Sequence, residues 1–356
     1  MANHGTPEAV EQLRGLIRDA LRRWPEGHPE LAKLEIRLAR SLVEDSQLDE
    51  AGEILHRIEP AVLGLDSPAR EADLRLLYGM IATLRSDSET SRQQLELALP
   101  LYRRAGGILG EANCLKRLGD LALMGSDHES ARGQFAQALS LYRGAASLLG
   151  EANCLKRLGD LALACADLQT AQAQFELALS LHRRLGDLRG EAGDLMSLGD
   201  LALERSDHEV ARQSFEAAMR LYRQVGAVLG EAGCLQNLGD LALDRADHEA
   251  AQSHFTQASQ LYLRLGNPLG EANCAGRLGA LALQRSDRDS ARAHFEKALT
   301  LLLRFRDPER IALAYVSLSS VARSEEEGTA HLSAARKAWE SAGHPELIRQ
   351  PSKADG

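Results

Sequence analysis

Aromatic residues are scarce in this chain, since phenylalanine, tryptophan and tyrosine together make up 4% of its 356 residues. Hydrophobic residues still reach 44%, so a buried core has to be built chiefly from leucine and alanine. Long apolar runs are also missing, and a membrane-spanning helix needs roughly 20 such residues. The first residues, MANHGTPEAVEQLRGL, lack the basic flank and apolar segment of a secretory signal. These absences predict a cytoplasmic protein with no membrane partner.

The net charge and the absence of known motifs argue against further classes of function. The formal net charge is −9, whereas a nucleic-acid partner calls for a basic face. The sequence contains no GxxxxGK[ST] phosphate loop, no GxSxG nucleophile motif, and neither HExxH nor CxxC metal motifs. We therefore expect no nucleic-acid partner, no catalytic residues, no bound metal and no cofactor.

The main feature present is a period of forty residues. The stretch GEANCLKRLGDLAL occurs unchanged at Gly110–Leu123 and at Gly150–Leu163. Variants follow at the same spacing, beginning at Gly190, Gly230 and Gly270. A constant period of this length is typical of a solenoid, in which each repeat packs only on its neighbours. The frame runs from about residue 28 to about residue 342, which predicts about eight units.

Each unit is predicted to be a pair of helices. Between residues 148 and 186, apolar residues recur at helical spacing in two runs. A serine followed three residues later by an acid, as in Ser126 and Glu129, separates the runs and predicts a capping box. Glycines are expected to end the second helices; they are Gly106, Gly186, Gly226 and Gly266.

Glycine also recurs inside the first helix of the central units, at Gly119, Gly159, Gly199, Gly239 and Gly279. Each such glycine costs about 1 kcal/mol relative to alanine. Their repetition indicates that the partner helix, with small residues such as Ala131 and Ala138, approaches closely. The phenylalanines of the second helices are then expected to fill the space between successive hairpins; they are Phe135, Phe175, Phe215, Phe255 and Phe295.

The pattern LG-x2-A-x8-A-x3-F-x2-A, which begins at Leu118, resembles the tetratricopeptide repeat. That family usually has units of about 34 residues, and the longer unit here is similar to a 40-residue subtype found in cell-polarity adaptors and in bacterial and fungal regulators. The resemblance implies an all-α fold: a right-handed superhelical solenoid of stacked antiparallel helical hairpins. It also implies a binding scaffold rather than an enzyme. The family's frequent tryptophan in the first helix is Leu115 here, and the end units match weakly.

The cysteines and histidines offer a competing interpretation as metal or redox sites. Cys114, Cys154, Cys234 and Cys274 occupy one repeat position. Packed helices lie about 8–10 Å apart, whereas a disulfide needs Cα atoms within about 7 Å, so core thiols are expected. His128, His208 and His248 open the second helices, where solvated side chains are expected and a pH-sensing or metal role is the alternative.

The resemblance places the first helices on a concave wall. Residues three or four apart share one face of a helix, so polar side chains form a stripe there. In the two units that share the identical stretch it consists of Asn113, Lys116, Arg117, Asp120, Asn153, Lys156, Arg157 and Asp160. The next three units add Asp200, Asn237, Asp240, Asn273 and Arg277.

We expect this stripe to hold a peptide or a segment of a partner protein. The aspartates would accept hydrogen bonds from its amides or basic side chains, and the lysines and arginines would meet acidic residues. The alternative is a solvated surface, on which Lys116 and Asp120 pair only with each other for a few tenths of a kcal/mol.

Residues 1–27 are predicted to form an N-terminal capping helix, residues 28–342 the solenoid, and residues 343–356 a flexible tail. Besides a peptide-binding adaptor, the sequence allows a sensor whose superhelix responds to a small peptide or metabolite. It also allows self-association through the terminal repeats, so a monomer or a weak homodimer is expected. An enzyme with residues gathered from distant repeats is the remaining alternative.

Overall fold

The computed structural model describes residues 7–25, 27–304 and 307–342, and over these ranges it contains seventeen α-helices and no strand. The chain divides into two compact units, Met1–Leu185 and Gly186–Gly356. Each unit contains four antiparallel helical hairpins stacked in chain order, so the predicted all-α solenoid of helical hairpins is confirmed. The predicted tail at 343–356 lies outside the described residues. The boundaries of the predicted cap and solenoid stay predictions.

The first unit contains nine helices within its described residues. They are α1 (Pro7–Leu21), α2 (Pro29–Glu44), α3 (Leu48–Leu63), α4 (Pro68–Leu84), α5 (Ser88–Ala105), α6 (Ile108–Met124), α7 (His128–Gly144), α8 (Leu148–Ala164) and α9 (Leu168–Leu185). Helix α1 precedes the hairpins and buries Val10, Leu13 and Ile17 in a cluster shared with α2 and α3. Its Arg14 also pairs with Glu50 of α3 at 2.7 Å. Helix α1 thus covers the first hairpin.

The second unit contributes four hairpins. Their helices are α10 (Leu188–Glu204), α11 (His208–Gln224), α12 (Val228–Asp244), α13 (His248–Arg264), α14 (Pro268–Gln284), α15 (Arg288–Leu303), α16 (Pro308–Ser320) and α17 (Glu325–Ala342). Within the described residues of the chain, no helix is both long and apolar enough to cross a bilayer.

Five second helices, α5, α7, α9, α13 and α15, are capped by an aspartate and not by the predicted serine. In α7 the Asp127 carboxylate accepts a hydrogen bond from the Ser130 amide at 3.1 Å. Ser126 precedes it with φ near 57°, in the left-handed region, so it ends the connection rather than capping the helix. The same aspartate bond occurs at Asp87, Asp167, Asp247 and Asp287. The predicted capping box at Ser126 and Glu129 is therefore wrong by one residue.

The repeated glycine of each first helix makes room for an aromatic ring. The ring of Phe175 lies against Gly159 of the same hairpin, and the ring of Phe215 lies against Gly199 in the same way. The close approach predicted at these glycines is therefore made by phenylalanine within one hairpin, and not by the small alanines of the partner helix. Both rings are fully buried.

Candidate ligand-binding face

The predicted stripe lies along the first helices α6, α8, α10, α12 and α14. We use the term first-helix face for the surface formed by the side chains at the repeat positions of Asn113, Lys116, Arg117 and Asp120. The side chains of Asn113, Lys116, Arg117 and Asp120 are partly exposed, whereas Cys114, Leu118 and their equivalents on the opposite side of the helix are mostly buried. The face is described separately for each unit.

In the first unit, two aspartates are already engaged by neighbouring cations. Asp120 accepts a hydrogen bond from Lys116 at 3.2 Å, and the Nε atom of Arg157 lies 3.0 Å from its other oxygen. Arg157 also donates to Asp160 at 3.0 Å, and Asp160 accepts a bond from Lys156 at 3.2 Å. The structure therefore brings five predicted residues into one chain of ionic contacts.

One of these contacts joins successive hairpins, and it recurs in the second unit. Asp120 of α6 pairs with Arg157 of α8, and Asp240 of α12 pairs with Arg277 of α14 at 2.9 Å. Asp200 of α10 accepts a hydrogen bond from Asn237 of α12 at 3.0 Å. We call this contact the carboxylate bridge. It joins the aspartate of one first helix to a residue of the next first helix that lies three positions before the equivalent of that aspartate.

The carboxylate bridges change the interpretation of the aspartates. At both arginine bridges the Nε atom is close to the oxygen, but its N–H is not directed at it, so the contact is an ion pair rather than a hydrogen bond. The bridging Oδ1 atoms of Asp120 and Asp240 are shielded from solvent. These oxygens link hairpins and are not presented to an incoming peptide.

Arg117 differs from its equivalents because it has no bridge partner. The position that would face it on the preceding first helix α4 is Met80, where the following repeats have aspartate. Within the described ranges, the Arg117 guanidinium makes no ion pair or hydrogen bond. The side chain of Arg117 is therefore partly exposed, and its five N–H donors make none of the hydrogen bonds described for this part of the chain.

Charges on this part of the face are unbalanced. Lys116, Arg117, Lys156 and Arg157 carry four positive charges against the two carboxylates of Asp120 and Asp160. Burial lowers the pKa of Lys116 and of Arg117, and the charge of Asp120 offsets this only in part. For Arg157, burial also acts to lower the pKa, but the carboxylates of Asp120 and Asp160 outweigh it and the pKa is raised. Arg117 is the least well compensated of these cations.

The remaining predicted residues have three different environments. The side chain of Asn113 is fixed by an internal hydrogen bond, because the buried Tyr142 hydroxyl donates to its Oδ1 at 2.6 Å. Asn153 and Asn273 are exposed. Burial raises the pKa of Asp240, against the opposing effect of Arg277. The stripe is thus partly structural and partly open.

Two residues of this face were missed by the sequence reasoning. Asp73 of α4 accepts hydrogen bonds from Arg40 of α2 at 3.0 Å and from the Tyr102 hydroxyl at 2.7 Å. Asp73 has the repeat position of Asn113, and Arg40 has that of Asp120. Extending the repeat frame into the weak N-terminal units would have found both.

The four cysteines of the first helices do not form a chemical site. Cys114, Cys154, Cys234 and Cys274 are fully buried and free. Burial raises the pKa of each of these thiols to about 12, and the thiol of Cys154 donates to the Phe135 carbonyl at 3.1 Å.

Among the histidines, His128 is half-buried rather than solvated, because the exposed Cys165 lies against it with Sγ 3.4 Å from Nδ1. Within the part of the chain that the structure describes, no three metal-ligating side chains come together.

Comparisons with known proteins agree with this architecture. Residues 231–304 match the family model described as tetratricopeptide repeat. No protein of curated function matches the sequence significantly.

Three solved structures share the fold at low identity. A Rap protein, solved in complex with competence and sporulation factor, is 13% identical with a TM-score of 0.66, over 90% of this chain and 94% of its own. Aspartyl phosphate phosphatase F from Bacillus subtilis is 11% identical with a TM-score of 0.62, over 97% of this chain and 90% of its own. A signal-transduction ATPase from Pyrococcus horikoshii with a tetratricopeptide repeat sensor is 12% identical with a TM-score of 0.60, over 98% of this chain and 56% of its own.

Proposed function

We propose that the protein is a non-catalytic interaction scaffold of the 40-residue tetratricopeptide subtype, which binds a peptide or a partner-protein segment along its first-helix face. The similarity to the Rap protein solved with competence and sporulation factor supports a peptide-binding role by analogy of fold. The observation that carries the proposal is the unpaired guanidinium of Arg117 on a partly exposed helical face.

The residues of the face take different roles in this proposal. Arg117 anchors an acidic side chain or a carboxylate of the partner through charge-assisted hydrogen bonds. Lys116 and Arg157 extend the positive field, although each also contacts Asp120. The three bridging aspartates keep successive hairpins in register, and Asn153 offers an exposed amide. A preformed wall of this kind avoids part of the ordering cost of binding.

Met80 suggests a sharper test than removal of the arginine. In the Met80→Asp variant, the new carboxylate takes the bridge position that Asp120 has toward Arg157, so it should pair with Arg117. This variant keeps Arg117 in place but occupies its donors, whereas Met80→Ala removes the methionine without adding a charge. Arg132→Ala, on the exposed side of α7, controls for a change of one charge.

The probe is fluorescein-labelled hexaglutamate, followed by anisotropy at low and physiological salt, with hexalysine as the reverse-charge control. We expect wild type to prefer hexaglutamate, and Arg117→Ala and Met80→Asp to weaken its binding roughly tenfold or more, as expected for a hydrogen bond to a charged group. Met80→Ala and Arg132→Ala should bind as wild type does. Equal binding of hexaglutamate by wild type and Met80→Asp would show that Arg117 does not bind the peptide.

A further inference from the structure

The fifth cysteine, Cys165, lies outside the repeat position that the four buried cysteines share. It is exposed and free, and it directly follows the last residue of α8. Burial raises the pKa of the other four thiols to about 12, so Cys165 is the thiol that a reagent can reach from solvent. Four other repeats have arginine at its position, namely Arg85, Arg205, Arg245 and Arg285.

The Cys165 thiol contacts a histidine of the preceding hairpin. Its Sγ atom lies 3.4 Å from Nδ1 of His128, which is the first residue of α7. In the second unit, His208 and His248 have the same repeat position, and their shielded Nδ1 atoms have no hydrogen-bond partner among the described residues. The chain has arginine there at the position of Cys165. The pairing of a thiol with an imidazole nitrogen is therefore a local departure from the repeat.

Packing does not explain the thiol at this position. Gly125 has the repeat position of Cys165 in the preceding hairpin, so the connection between the helices needs no side chain there. An exposed thiol buries little apolar surface, and its hydrogen bond is weak. The chemical reactivity of a cysteine, more than its packing, decides its use in proteins. The contact with His128 is thus the feature that calls for an explanation.

Charged groups lie near this pair on several elements. They are Asp127, Glu129 and Arg132 of the α7 region, Asp167 before α9, and Arg92 of α5. The hydrogen bond from Ser130 is the main cause of the lowered pKa of Asp127, and the charge of a protonated His128 adds to it. The Asp127 carboxylate in turn stabilises the protonated imidazole. The site can therefore hold a proton that leaves the thiol.

We propose that Cys165 is a site of thiol–disulfide exchange with small organic disulfides, and that His128 accepts the thiol proton. The S–H proton passes to Nδ1 of His128, and the Cys165 thiolate attacks one sulfur of the disulfide. A new S–S bond forms to Cys165 while the S–S bond of the reagent breaks. The released thiolate takes the proton from His128, so one thiol is consumed, one thiol is formed and the imidazole returns to its starting state.

The test reacts the full chain at pH 7 with bis(2-hydroxyethyl) disulfide, an uncharged reagent, and follows the mixed disulfide by intact-protein mass spectrometry. We expect a single adduct on wild type and none on Cys165→Ala over the same time. His128→Gln keeps a polar side chain at the start of α7 but has no base, and it should react roughly threefold to tenfold more slowly. The effect is limited because a larger thiolate fraction is partly offset by lower nucleophilicity.

The preceding repeat supplies a matched control. Gly125 is exposed, an added Cβ there makes only ordinary contacts, and Ser88 has the repeat position of His128. The double variant Cys165→Ala, Gly125→Cys carries an exposed thiol at the same repeat position without a histidine, and it should react as slowly as His128→Gln. Adding Ser88→His should raise its rate by roughly threefold to tenfold, since the base is restored.

A pH series separates proton transfer from a steric effect. Ordinary thiols ionise near pH 8.5, so at about pH 9.5 the base is not needed. The rates of wild type and His128→Gln should therefore converge there and differ most near pH 7. A difference caused only by access to the thiol would persist at both pH values.

Four results would overturn the proposal: modification of Cys165→Ala as fast as wild type, equal rates for wild type and His128→Gln at pH 7, a rate ratio that stays unchanged at about pH 9.5, or no acceleration by Ser88→His. The inference does not rest on the peptide-binding proposal, because Cys165 is not part of the first-helix face. Binding of hexaglutamate by Cys165→Ala should equal that of wild type.

Discussion

The ring of Phe135 occupies the space that a side chain on Gly119 would need. An ideal Cβ placed on Gly119 would lie 2.6 Å from Cε1 of that ring. Real Cβ contacts of that length essentially do not occur, and the fully buried ring has little room to move because protein interiors are close-packed. The backbone cost of a glycine within the helix is thus offset by the packing of the phenylalanine.

Gly119→Ala therefore separates helix propensity from packing. Propensity alone predicts a gain of about 1 kcal/mol, but we expect a loss of about 1–3 kcal/mol because the ring must shift in a packed core. The control is Gly133→Ala in α7, where an added Cβ meets nothing within 4 Å and the propensity gain should appear. Urea denaturation of both variants measures the difference. Stabilisation by both substitutions would contradict the packing found at Gly119.

Phe215→Ala should be among the most destabilising single substitutions in the second unit. Phe215 is fully buried against Gly199. Alanine therefore removes the ring and leaves a cavity, and Gly199 has no side chain that could fill it. We expect a loss of about 3–5 kcal/mol in the free energy of unfolding. Val210→Ala on the same helix is the control, because Val210 is 53% exposed. A thermal melt in which the two variants behave alike would show that the ring is not a main core element.

The aspartate caps predict an acid-sensitive contribution to stability. Hydrogen bonding from Ser130 lowers the pKa of Asp127 below its ordinary value of 3.8. Because the folded pKa is below the unfolded one, the stabilisation is present above about pH 4 and is lost as the pH falls through the folded pKa. Asp127→Ala should thus lower the denaturation midpoint at pH 7 and have a smaller effect at pH 3.

The control for that series is Asp207→Ala. Asp207 has the same cap position in α11, but its side chain makes no capping hydrogen bond. We expect Asp207→Ala to lower the denaturation midpoint at pH 7 by less than Asp127→Ala does. Equal effects at the two aspartates would mean that the hydrogen bond to Ser130 contributes nothing measurable.

For Asp240 we expect the opposite pH dependence of the free energy of unfolding. Burial raises its folded pKa above 3.8, although Arg277 opposes the shift. The folded protein therefore holds this proton more tightly than the unfolded chain, and the free energy of unfolding falls as the pH rises from about 4 through the folded pKa. Asp240→Asn removes that dependence, so the variant should gain stability relative to wild type between pH 3.5 and pH 7.

Glu204→Gln, at an exposed position of α10, corrects for the loss of one negative charge. Guanidinium denaturation is unsuitable because its ions screen charge, so urea at constant ionic strength is the measurement. A variant that loses stability relative to wild type as the pH rises would show that the bridge to Arg277 outweighs the cost of burying the carboxylate.

Much of the fold could be predicted from the sequence because a fixed period leaves little freedom. Each hairpin repeats the same apolar spacing, so an error in one unit is corrected by the next. The helix starts were less predictable. Ser126 and Asp127 are adjacent and both are good capping residues, and only the backbone shows that Ser126 takes the left-handed conformation.

The candidate site could be predicted only in part. The sequence identifies which side chains share the first-helix face, but not which of them are paired across hairpins. Asp120 and Arg157 are 37 positions apart, and their contact depends on how α6 and α8 stack. The unpaired state of Arg117 follows from Met80 only once the geometry of the carboxylate bridge is known.

The carboxylate bridge also bears on how the length of this chain can change. Residues 110–123 and 150–163 are identical, so a deletion of forty residues between equivalent positions of the two copies removes one hairpin without creating a new junction sequence. After such a deletion, Arg157 follows Met80 in the repeat frame and takes the place of Arg117, with no aspartate on the preceding first helix to bridge to. Shortened or lengthened forms of the solenoid would therefore keep one arginine without a carboxylate bridge at the same distance from the first hairpin, and only the number of bridged hairpins that follow it would change.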